Sequence, residues 1–145
     1  MIYIKFLFWN IFNKNLILPI IDIILENEID VVALVEAKKL DVCETISVLK
    51  ERGQQWKELS ICPVDDIVMM TKAEVCASVL CEEHNYSTYK IKYNNDYILY
   101  NVVHLPSAMH KEEEARNLIA SRISDYLRKK EEEFSAIEVV NAECL

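Results

Sequence analysis

Glycine is almost missing from this chain. Of 145 residues only Gly53 is a glycine, where ordinary usage would supply about ten. Glycine-rich phosphate loops are thereby excluded, no P-loop or dinucleotide fingerprint can exist, and tight backbone turns are expected to be nearly absent. Positive charge is also in short supply: 16 basic residues stand against 24 acidic ones, a formal charge of −8. Such a balance repels nucleic acid and anionic membranes unless a cation or a local basic patch intervenes. Nucleic acid is therefore a disfavoured partner. No apolar run is long enough for a membrane span, which takes roughly 20 residues: Lys5, Asn10, Asn13, Lys14, Asn15 and Asp22 interrupt the apolar start.

The five cysteines (Cys43, Cys62, Cys76, Cys81, Cys144) form no C-x-x-C pair and are odd in number. That suits reduced thiols in a cytoplasmic protein rather than a disulfide framework. Cys76, Cys81 and His84 lack a fourth ligand at zinc spacing, so a structural zinc site is not expected. With 52% apolar and 28% charged residues, the composition is that of one globular domain over residues 1–145.

The apolar patterning alternates between strand and helix periods. Ile2 to Trp9 is a nearly continuous β-branched and aromatic run, Leu16 to Glu26 has the spacing of a buried helix, and Ile29 to Val35 is a second apolar run. Strand, helix and strand within about 35 residues predict a parallel βαβ unit. Asp41, with Glu44 three residues on, predicts an N-capped helix to about Glu51 that Gly53 ends. Ile67 to Thr71 and Val75 to Leu80 flank Lys72-Ala73-Glu74 and predict a hairpin. Tyr89 to Tyr93 and Tyr97 to Val103, around Asn94-Asn95-Asp96, predict two more strands, with the tyrosines as hairpin core rather than base-stacking groups. Glu112 to about Glu133 carries the longest helical stripe, and Ile137 to Val140 begins another strand. The expected fold class is α/β, a mixed β-sheet with flanking helices.

Three polar residues close three of the predicted strands: Asn10, Glu36 and His104. Ligands of open α/β sheets bind at strand ends, where a rigid core positions exposed groups. A carboxylate and an amide oxygen are hard ligands of the kind Mg²⁺ accepts, and a histidine beside them can donate to a phosphate oxygen or move a proton. Each residue alone has a plainer reading, as a turn asparagine, a solvated glutamate and a structural histidine. Their joint occurrence points to phosphoester chemistry. Asp65-Asp66 reads as a solvated turn, and His84 and His110 as solvent-facing loop residues.

Phe8-Trp9-Asn10, Ile29-Asp30-Val31-Val32-Ala33-Leu34-Val35-Glu36 and Asn101-Val102-Val103-His104-Leu105-Pro106-Ser107, followed by a long helix, resemble the endonuclease/exonuclease/phosphatase superfamily, the DNase I-like metal-dependent phosphoesterases. The resemblance runs from residue 2 to about 134 and implies the N-terminal portion of such a domain, about half of an α/β/β/α sandwich. It implies a phosphodiesterase or phosphatase hydrolysing a phosphoester of unknown class with Mg²⁺ or Mn²⁺. Glu36 would bind the metal, Asn10 would orient or ligate it, and His104 would contact the scissile phosphate.

The family continues with a strand ending in Gly-Asp-x-Asn and closes with an Asp-His pair. Here Ile137-Glu138-Val139-Val140-Asn141-Ala142-Glu143 echoes the first only through Asn141 and Glu143, and no Asp-His follows. A truncated or frameshifted hydrolase missing its C-terminal half is the first expectation, a catalytically inactive binding or interaction module the alternative, and an active short form the third. A half sandwich is expected to leave a sheet face uncovered and to form a homodimer through it.

Overall fold

The computed structural model describes residues 3–59, 66–83, 85–105, 113–133 and 138–144. The chain opens with β1 (Phe6–Asn10), α1 (Ile17–Asn27) and β2 (Val31–Val35). β1 and β2 are parallel neighbours, Phe6 opposite Val31 and Asn10 opposite Val35, so the βαβ unit read from the apolar periods is present. The first strand starts later than the apolar run. Asp30 N and Val31 N both donate to Lys5 O, while Lys5 N donates to Asp30 Oδ2 at 2.9 Å, which ends the ladder there.

α2 (Val42–Glu51) begins as its capping pattern dictates, with Asp41 Oδ1 accepting from Glu44 N at 2.9 Å. Gly53 follows it at φ +85°. Next come β3 (Trp56–Glu58), β4 (Val68–Lys72), β5 (Ala77–Glu82), β6 (Tyr86–Tyr93), β7 (Asp96–His104), α3 (Glu113–Glu133) and β8 (Glu138–Cys144).

The strands divide between two mixed sheets of four, ordered β1-β2-β4-β3 and β5-β6-β7-β8. The hairpin expected around 72–74 is therefore a crossover between sheets. β4 pairs with β2 on one side and β3 on the other, so no edge is left for β5. Lys72 N is taken by Asp30 O, and Val75 turns into the space between the sheets.

The period of two sorts the side chains. Val32 and Leu34 face α1 and α2 with Ile20, Ile21, Ile24 and Leu49, all fully buried. Val31, Ala33, Val35 and Met69 face the second sheet's Tyr89, Ile91, Tyr100 and Val102. Each such aliphatic side chain contributes about 1.5–3 kcal/mol when fully buried. α3 lies on the outer face of the second sheet, with Ile123 buried and the Tyr126 ring 5.5 Å from that of Tyr86. Beneath it Thr88 Oγ1 donates to Asn101 Oδ1 at 2.9 Å.

The layers are thus helices, sheet, sheet, helix. Both inner sheet faces are covered by each other. The outer face beyond α3 shows Ser78, Lys90 and Tyr97, with the Lys90 ammonium 3.9 Å from the Tyr97 ring centroid. A β-bulge between Val79 and Cys81 advances the register, so Cys81 pairs with Thr88 on the α3 side.

The expectation that scarce glycine nearly excludes tight turns fails. Phe12, Asn13, Glu28, Glu36 and Asn94 all adopt φ between 49° and 54°. Asparagine tolerates this region through local side-chain hydrogen bonding, whereas the others are held there by their surroundings. No described helix is long and apolar enough to cross a membrane.

Candidate active site

Glu36 and His104 arrive from different sheets and meet. His104 continues the inward row of Ile98, Tyr100 and Val102 along β7, so its imidazole points toward the first sheet. An extended Glu36 would instead fall on the helix side, in the row of Val32 and Leu34. Its φ of +49° breaks that alternation. Nε2 of His104 then lies 3.3 Å from Oε1 of Glu36, with side chains 16% and 30% exposed. A left-handed backbone costs a non-glycine residue about 1 kcal/mol or more, so the rest of the fold pins this bend in place.

The backbone around both residues is tied down. Asn13 N donates to Glu36 O at 2.6 Å, Ile11 N to Val35 O at 3.1 Å, and Ala37 N to Asp66 O at 3.2 Å. His104 N donates to Asn85 O at 2.8 Å, and Asn85 Nδ2 donates back to His104 O at 3.1 Å. Asn85 is thus a positioning residue that the sequence reading missed, because nothing local links two residues 19 apart.

Asn10 closes β1 opposite Val35, one residue from Glu36. Its Oδ1 accepts from Phe12 N at 3.0 Å, which shapes the loop leading to Asn13. The structure therefore brings all three strand-end residues to one end of the sandwich and joins Glu36 to His104 directly. Asp66, read as a solvated turn residue, is closer than expected: its carboxylate, 19% exposed, pairs with Lys38 at 3.6 Å beside the Glu36 segment. His84, His110, Asp65, Pro106 and Ser107 lie outside the described residues, as do the side chains of β8. β8 runs parallel to β7 with Asn101 opposite Asn141, Val103 opposite Glu143 and His104 opposite Cys144, which sets the backbone of Asn141 to Cys144 alongside the histidine end.

Among the described residues no three or more His, Cys, Asp or Glu side chains cluster closely enough to hold a metal. The donors that fit a hard cation here are oxygen atoms of mixed type. The Glu36 carboxylate stands beside the Asn10–Asn13 loop, where Asn13 Oδ1 is buried and has no hydrogen-bond partner among the described residues. A carboxylate, amide oxygens and water form a donor set of the kind Mg²⁺ takes. Asn13 is the second residue that the sequence reading passed over, named there only among those that interrupt the apolar start.

No protein-family model matches the chain, and no curated protein does. Solved structures do. TDP2 from D. rerio, complexed with a single-strand DNA product, superposes with a TM-score of 0.64 at 17% identity, over 97% of this chain and 59% of that one. The endonuclease domain of TRAS1, a telomere-specific non-LTR retrotransposon, gives 0.61 at 10% identity, over 97% and 59%. An AP endonuclease from Archaeoglobus fulgidus gives 0.57 at 16% identity, over 88% and 52%. The chain thus spans between half and three fifths of these neighbours, and at such identities the likeness is one of fold. That fold is a DNase I-like α/β/β/α sandwich.

Proposed function

We propose that this chain carries a divalent-metal phosphoester hydrolase site made by Glu36, Asn10 and His104. The observation that carries the reading is the 3.3 Å approach of the His104 imidazole to the Glu36 carboxylate across two sheets. Neither sheet alone builds that pair, and a left-handed backbone is maintained to make it. In this reading Glu36 holds a Mg²⁺ or Mn²⁺ ion, and Asn10 orients the loop that supplies further oxygen ligands. When bound, the ion polarises the phosphoryl oxygen and offsets charge developing during in-line attack by water. His104 donates a hydrogen bond to a non-bridging phosphate oxygen, and Glu36 keeps the imidazole oriented. The two neighbours described as endonucleases support the general kind of chemistry. A cytoplasmic setting belongs to the same reading, on the free thiols of Cys43, Cys76 and Cys81.

Hydrolysis of bis-p-nitrophenyl phosphate with and without Mg²⁺ tests this. Glu36→Gln should lower the rate at least about a hundredfold, the scale on which a single charge-stabilising group acts, while leaving the melting temperature within a few degrees. An unchanged rate in the variant would remove Glu36 from the mechanism. Absence of any Mg²⁺-dependent turnover would leave the competing reading, a binding module that keeps the fold without the reaction.

A further inference from the structure

The connection from β1 to α1 carries two left-handed residues, Phe12 at φ 52° and Asn13 at φ 54°. Asparagine tolerates that region, but an aromatic residue there costs about 1 kcal/mol or more. Burial does not offset the cost, because Phe12 is 68% exposed. Its backbone is nevertheless fixed: Phe12 N donates to Asn10 Oδ1 at 3.0 Å, and Lys14 N to Ile11 O at 3.0 Å. Leu18, in the first turn of α1, is 61% exposed, and Pro19 next to it is exposed as well. A strained backbone that keeps an aromatic ring in water points to a use for that ring.

Charge on this rim runs against that of the whole chain. Lys5 and Lys14 are the only charged side chains from Met1 to Ile21, and all 24 acidic residues come later. The β2–α2 connection adds Lys38 and Lys39, both exposed. It lies against the β1–α1 loop, with Asn13 N donating to Glu36 O at 2.6 Å and Asp41 N to Asn15 Oδ1 at 3.4 Å. Lys38 pairs with Asp66 at 3.6 Å, whereas Lys14 and Lys39 take part in no ion pair among the described residues. The nearby acids are occupied or set back. Glu36 turns to His104 at 3.3 Å, Asp41 Oδ1 accepts from Glu44 N at 2.9 Å, and Asp22 lies further along α1.

We infer that this rim docks on an anionic phospholipid surface, Phe12 and Leu18 entering the headgroup layer and Lys14, Lys38 and Lys39 facing the lipid charges. The pairing of apolar tips with lysines selects the occupant. A second copy would set the same lysines against each other, and like charges oppose association. An aqueous polyanion would satisfy the lysines but leave Phe12 and Leu18 in water. The chain lies on the surface rather than crossing it, since no described helix is long and apolar enough to span. Docking is read without turnover, so it stands or falls apart from the hydrolase proposal.

Sedimentation of the full chain with vesicles tests the rim, comparing phosphatidylcholine alone with an equal mixture of phosphatidylcholine and phosphatidylserine. Binding to the mixed vesicles should be at least about tenfold tighter, and added salt should weaken it. Phe12→Asn removes the ring at a backbone position that asparagine tolerates, and should weaken binding about tenfold. Lys39→Gln should weaken it about fivefold, the factor for one charge near an anionic surface. Leu118→Asn, at an exposed apolar position on α3, should change nothing. All three positions are exposed, so the variants keep their fold. Equal binding to both vesicles, binding to neither, indifference to Phe12→Asn, or an equal loss with Leu118→Asn overturns the docking rim. So does a dimer in light scattering that Phe12→Asn dissolves, which would put a second copy there instead.

Discussion

Tyr100 shows how much one atom can matter inside this fold. Its ring is 1% exposed and lies 4.8 Å from that of Phe6, filling the space between the sheets. Burial first, and the neighbouring Tyr89 second, raise the phenol far above its usual range, so it stays neutral. Its hydroxyl has no hydrogen-bond partner among the described residues, a condition that costs about 1–3 kcal/mol for a buried polar group. Tyr100→Phe keeps the ring and removes the orphan. Urea denaturation should show stability unchanged or raised by up to about 1 kcal/mol. A clear loss would mean that the hydroxyl has a partner. Glu36 is the opposite case, a residue whose backbone cost is kept because it redirects a carboxylate.

Among the elements, the two helix ends of the first half make a matched pair of experiments. Gly53, past α2, sits at φ +85° with open space around a notional Cβ. Gly53→Ala should therefore lose about 1 kcal/mol through backbone strain alone. Glu28, the C-cap of α1, sits at φ 54° with a side chain. Glu28→Gly should gain a comparable amount, because its 3.2 Å pair with Lys5 is exposed and worth little. Denaturant midpoints of opposite sign are the expected result, and two losses would contradict it.

The same elements show what a sequence can reveal. The βαβ unit was legible because its apolar periods differ, and α2 because Asp41 and Glu44 announce its start. Asn10, Glu36 and His104 stood out as polar residues closing apolar strands, and the fold brings them to one end. The link after β4 was not legible. A local turn signal at 72–74 says nothing about whether β4 still has a free edge, and that depends on β2 and β3. β3 is three residues long, too short for any period. Asn85 and Asn13 owe their positions to backbone partners far away in sequence, so no local pattern marks them.

For the whole molecule, the order of the sheets carries a consequence. Residues 6–72 supply every strand of the first sheet with α1 and α2, and residues 77–144 every described strand of the second with α3. Among the described residues the chain passes between the layers near 73–76, and Glu36 and His104 lie on either side of that passage. The protein is therefore separable into two continuous pieces held together by an apolar seam. On the hydrolase proposal, fragments 1–73 and 74–145, produced apart, should each be inactive and should reconstitute Mg²⁺-dependent turnover on mixing, with a rate that climbs as their concentrations rise. Were either fragment active alone, the reaction would belong to one leaf of the sandwich. If complementation succeeds, the reaction centre is a joint between two halves, and the tightness of their embrace sets how much enzyme is present.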